Sequence, residues 1–164
     1  MGPRHSKRYG SASLPRCSPR STNRKHLHLL PLSLRSILCG MNNILIIAVG
    51  GALGSVSRYG LGVAVQGAVP TAFPWGIVVV NLLGCFLFGV VAGLVARGNV
   101  LPGYAESALL IGFLGGFTTF STFAFNNTTM LQDGRIGWLA ANLLIQNIGG
   151  IALLFAGLLL TRPR

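Results

Sequence analysis

The chain has 164 residues, of which 51% are apolar and 9% charged, against roughly a quarter charged in an ordinary soluble domain. Its formal net charge is +11, yet eight of the thirteen Lys and Arg and all three His precede Met41. From Met41 onward only Arg58, Arg97, Glu106, Asp133, Arg135, Arg162 and Arg164 remain, too few to clothe a water-exposed surface, so the sequence describes an integral membrane protein.

Residues 1–40 are basic, free of acid and interspersed with Ser and Pro. That composition suits a transit peptide or a basic arm for nucleic acid, but no aromatic interleaving or fold supports the second, and no nucleic-acid partner is expected. Met41-Asn42-Asn43 running into Ile44-Leu45-Ile46-Ile47 reads as a natural start. Residues 1–40 are therefore expected to be a disordered extension from an overextended reading frame, and 41–164 the functional domain.

A helix needs about 20 apolar residues to cross a bilayer, and four such runs follow, at 43–65, 74–96, 106–130 and 136–160. Pro70 and Pro74 mark the first connection, Gly98 to Gly103 the second, and Gln132-Asp133-Gly134-Arg135 the third. The runs are continuous, unlike the short alternating segments of a membrane barrel. Small residues recur inside them, at Gly50-Gly51-Ala52-Leu53-Gly54, at Gly84, Gly89 and Gly93, and at Gly149-Gly150, where they let membrane helices approach closely. The expected architecture is all-α, a compact bundle of four transmembrane helices, and oligomeric because four short helices enclose little alone.

Polar residues inside these runs carry the functional signal. Arg58, late in the first span, fits either a side chain snorkelling to headgroups beside Tyr59 or a fixed positive charge at the mouth of an anion path. Asn81, about seven residues into the second span, offers two donors and an acceptor, for a bond between helices or for a passing anion. In the fourth span Asn142 and Gln146 share a face at i and i+4, with Asn147 beside them. Such a stripe lines a wet path or an interface rather than meeting lipid. Cys17, Cys39 and Cys85 suggest no disulfide framework, and no zinc or iron pattern is present. Glu106 and Asp133 lie near span ends with no histidine after Met41, so no acid–base pair or nucleophilic triad assembles. An enzyme is not expected.

The run Gly-Gly-Phe-Thr-Thr-Phe-Ser-Thr-Phe at 115–123 fits a plain membrane helix badly. Two glycines loosen the backbone, and the hydroxyls of Thr118, Thr119, Ser121 and Thr122 are costly in hydrocarbon unless bonded. The run is either a packing seam or a permeation site. Glycines before a hydroxyl cluster predict a third helix broken mid-membrane, where freed carbonyls can coordinate a cation. Beyond it, Phe120 and Phe123 stand one turn apart, and aromatic rings are positive at their edges.

With Gly-x-x-x-Arg-Tyr at 54–59 and Val-Asn-x-x-Gly at 80–84, this run resembles the CrcB/Fluc fluoride channel family over about 41–160. The resemblance implies an antiparallel, dual-topology homodimer in the cell membrane, in contact with membrane lipid. Two narrow pores would pass fluoride passively and spare the cytoplasm from it. Phe120 and Phe123 would supply ring edges, Asn81 a hydrogen bond to the ion, Thr122 a pore wall beside the rings, and Arg58 a vestibule charge. The carbonyls of Gly115 and Thr118 would hold a structural sodium ion on the dimer axis. Asn142 and Gln146 fall on a polar track of the fourth span, where the family more often carries small hydroxyls.

Charge placement bears on topology. An even span number puts both ends on one side, with Arg97, Arg162 and Arg164, while Arg135 and Asp133 occupy the other. So slight a bias permits insertion in both orientations. Keeping the eight extra cations of 1–40 would favour a single orientation, and then a heterodimer with a paralogous subunit is the alternative. Two rival functions remain. A proton-coupled exporter needs a membrane-embedded titratable group, and no Asp or Glu lies mid-span. A structural membrane subunit would use its polar residues only to pack helices.

Overall fold

Inside a bilayer the backbone must satisfy its own hydrogen bonds, and long apolar runs do so as helices. A computed structural model of the chain describes residues 32–98 and 102–161, with side chains from Met41 onward. It contains five helices, α1 (Leu32–Ala68), α2 (Trp75–Ala96), α3 (103–117), α4 (Phe120–Gln132) and α5 (Ile136–Leu160), and no strand among the described residues. Four segments are long and apolar enough to span a membrane: Met41–Ala68, Trp75–Ala96, Gly103–Gln132 and Ile136–Leu160. The chain divides into two units, 1–41 and 42–164, and every candidate site residue falls in the second. The expectation for residues 1–31 lies outside the described residues, while 32–40 are helical.

Glycine sets how the helices meet. A methyl group at Gly50 would come within 2.6 Å of the Ala108 carbonyl, and one at Gly54 would collide with the Phe113 carbonyl, so α1 lies backbone to backbone on α3. The same holds for α2 and α5, where Gly89 faces the Leu154 carbonyl and Gly157 the Phe86 carbonyl. This is the close small-residue packing of membrane helices, where no hydrophobic effect drives association.

At one end, Phe73 packs on Trp75 and meets Trp138 edge-on, with centroids 4.8 and 5.9 Å apart, joining the α1–α2 connection to the start of α5. Phe73, Val78 and Met130 form the small buried core there. The α4–α5 turn closes with bonds from Arg135 N–H to the Met130 carbonyl and from Gly134 N–H to the Leu131 carbonyl. Gly134 takes the left-handed conformation this helix ending requires, with φ 70°. Gln66 fastens the α1–α2 connection. Its Nε2 donates to the carbonyls of Val69, Thr71 and Phe73 at 3.4, 2.8 and 3.2 Å, and its Oε1 accepts from Gly76 N–H at 3.2 Å. Gln66→Ala is expected to cost about 1–2 kcal/mol, read as a lower thermal midpoint with faster hydrogen exchange at Gly76.

Two stretches are wound wider than an α-helix, Ser107–Leu114 in α3 and Ile145–Gly149 in α5. Such π-type turns within α-helices are frequent at functional sites. The second carries Gln146.

Candidate functional site

The third membrane segment leaves the helix at two residues. Thr118 (φ −82°, ψ 157°) and Thr119 (φ −148°, ψ 112°) are extended, with helix on both sides. Gly115–Phe117 remains helical, so the interruption falls after the glycine pair rather than on it. Phe117 and Thr118 lie against Gly84 of α2, where any side chain would strike the Thr118 methyl. That explains the spacing of Val80-Asn81-x-x-Gly84: Asn81 and Gly84 share one helix face, one bonding the break and the other making room for it.

Asn81 replaces the hydrogen bonds that the break destroys. Its Oδ1 accepts from Thr119 N–H at 2.9 Å and its Nδ2 donates to the Thr119 carbonyl at 3.2 Å. One amide thus satisfies both main-chain groups of a single buried residue, as a neighbouring peptide would. In an uninterrupted helix Thr119 N–H would bond the Gly115 carbonyl, which is deprived of that donor here. The hydroxyl cluster then starts the next helix. Thr119 Oγ1 accepts from Thr122 N–H at 3.3 Å as an N-cap and lies 3.2 and 3.1 Å from the hydroxyls of Ser121 and Thr122. Thr119 and Ser121, which the sequence left without a role, begin α4, and Thr122 joins the same cap.

From Asn81 a line of carboxamides continues. Asn81 Nδ2 donates to Gln146 Oε1 at 2.7 Å, Gln146 Nε2 to Asn142 Oδ1 at 2.8 Å, and Asn142 Nδ2 to Asn127 Oδ1 at 2.7 Å. The expected shared face of Asn142 and Gln146 is present, and Asn142 is fully buried. Both Asn81 N–H groups are thereby engaged within the chain, so an anion would have to exchange with one of them. Asn147 is not part of this line: it is exposed and donates to the Leu143 carbonyl of its own helix, though it lines the same pocket as Asn81 and Gln146. Asn127 was not singled out in the sequence. Its signal was a position one turn beyond Phe123, on the same face of α4.

Phe120 and Phe123 lie 5.6 Å apart, centroid to centroid, at 49°. Phe123 is buried, whereas Phe120 is 78% exposed. Both rings line a pocket of about 330 Å³, together with Asn81, Thr118, Thr119 and Gln146. Arg58, half-buried on α1, and Gly115 lie outside this pocket. No cluster of three or more His, Cys, Asp or Glu that could hold a metal occurs among the described residues.

The sequence pattern of the family described as CrcB-like protein, Camphor Resistance (CrcB), matches residues 45–158. Several curated proteins, each named fluoride-specific ion channel FluC, are similar to the chain. One from Solidesulfovibrio magneticus is 50% identical over 116 residues, covering 71% of this chain and 93% of that protein. Another from Thermus thermophilus is 47% identical over 97 residues, covering 59% and 77%. A third from Nitratidesulfovibrio vulgaris is 44% identical over 120 residues, covering 72% and 95%.

Proposed function

The chain belongs to the CrcB/Fluc family, and from that premise we propose that this multi-pass membrane protein is a passive fluoride-selective channel which lets fluoride leave the cytoplasm. The reading rests on one arrangement: a membrane helix interrupted at Thr118–Thr119, latched by Asn81 and followed at once by two phenylalanines facing a pocket.

Fluoride is small and holds its water strongly, so a conducting site must offer close, pre-placed replacements. Ring edges of Phe120 and Phe123 supply partial positive charge, and neutral donors bind weakly enough for the ion to leave again. Of Asn81's two donor bonds, the one to Gln146 ends on a side chain that can turn aside. Exchange there gives the anion a donor without releasing Thr119. Thr122 supports the wall through the cap, and Arg58 adds positive potential from α1.

A second, oppositely oriented copy completes the path in this proposal. Phe120 and Gly115 are exposed on the single chain although both lie in the middle of a membrane segment. The Gly115 carbonyl has lost its helical donor and that of Thr118 belongs to an extended residue, which suits both to a hard cation such as sodium. Two subunits would present four such oxygens, and the ion would fix the two breaks together. A partner encoded by a paralogous gene would meet the same geometry.

Purified protein in liposomes loaded with potassium fluoride, with potassium made permeant to balance charge and release read by a fluoride electrode, tests the transport mode. Efflux at the same initial rate with and without a proton gradient is expected. Efflux that requires the gradient would support a coupled exporter, and none in either condition a structural subunit.

A further inference from the structure

The carboxamides of Asn81, Gln146, Asn142 and Asn127 are joined head to tail, and all point the same way. The line starts on the main chain, since Thr119 N–H donates into Asn81 Oδ1 at 2.9 Å. The first three amides therefore each accept at the oxygen and donate from the nitrogen, and the fourth accepts at its oxygen. An amide that accepts a hydrogen bond becomes a stronger donor, so aligned bonds polarise one another, most of all in a medium of low dielectric. The dipoles add, and their positive end is the nitrogen of the last member.

That last member is Asn127. Its oxygen is taken by Asn142, while among the described residues its Nδ2 donates to nothing. Asn127 is only half-buried, on the face of α4 that carries Phe120 and Phe123. We propose that the Asn127 amide nitrogen is a further anion-binding donor in the permeation path, polarised by the amide line and one helical turn beyond the Phe123 ring. It would take a small, hard, hydrogen-bond-accepting anion, and it gives an ion leaving the rings a neutral next site, as stepwise conduction requires. This inference rests on the fluoride-channel reading.

Asn127→Asp separates a donor from a purely structural bond. Aspartate keeps the oxygen that accepts from Asn142, so the line stays intact, but it replaces the free N–H groups with a negative oxygen. Fluoride efflux from liposomes is expected to fall at least tenfold, with the variant eluting from gel filtration as the wild type does. Wild-type efflux from Asn127→Asp would overturn the proposal. Should that variant fail to assemble, Asn127→Ser, which keeps a donor, is expected to retain efflux within threefold of wild type, while Asn127→Ala loses it several-fold. Wild-type efflux from Asn127→Ala, or equal losses in the Ser and Ala variants, would likewise overturn it. Wild-type efflux is measured alongside, and its absence would defeat the channel reading itself rather than the role of Asn127.

Discussion

Asn81→Leu is expected to abolish fluoride efflux and to weaken the fold together. Leucine has a similar volume but neither accepts from Thr119 N–H nor donates to its carbonyl and to Gln146. Thr119 is buried, and each buried main-chain group left without a partner costs about 1–3 kcal/mol. Both groups belong to one residue, so α4 would have to shift or the break would have to close. Every tenfold change corresponds to about 1.4 kcal/mol; a loss of about 3 kcal/mol in the latched arrangement therefore lowers its population roughly 100-fold. Efflux and thermal stability in detergent are both expected to drop. A role confined to the ion would cost throughput while leaving the protein fully stable. The latch predicts a less stable protein as well. Wild-type stability with lost efflux would show that Asn81 acts on the ion alone.

Phe120→Ile and Phe123→Ile carry the second large effect, and they should differ from Asn81→Leu in kind. Isoleucine is apolar but has no electropositive ring edge. Each variant is expected to reduce fluoride efflux to the liposome leak rate. Phe120 is largely exposed in the single chain, so its replacement should leave subunit stability within about 0.5 kcal/mol. Buried Phe123 should lose somewhat more through imperfect packing. Substantial efflux from both variants would show that the rings serve packing alone, whatever the anion selectivity of the wild type.

The four spans were legible because length and apolarity suffice to define them: runs expected at 74–96 and 136–160 became Trp75–Ala96 and Ile136–Leu160. The interruption was legible as a region rather than as a position. Glycines suggested it at 115, yet Gly115–Phe117 stays helical, because glycine weakens a helix without ending it. Thr119 N–H is instead captured by an amide 38 residues earlier, and no local pattern contains that partner. Asn142 and Gln146 could be paired from their i, i+4 spacing, since both stand on one helix. Asn127 could not, because its bond to Asn142 crosses between helices and the sequence offers Asn126, Thr128 and Thr129 as equally polar neighbours. The roles of Thr119 and Ser121 were hidden for a related reason. A hydroxyl caps a helix only once the chain has left the preceding one.

The central claim is that an anion as small as fluoride passes this break unaided. The most direct measurement compares initial efflux of fluoride and chloride from liposomes holding the purified wild-type protein, each at the same concentration and with potassium made permeant to balance charge. Fluoride is expected to empty rapidly while chloride stays at the rate of protein-free liposomes. Equal efflux of the two anions, or fluoride retained as in protein-free liposomes, would contradict it.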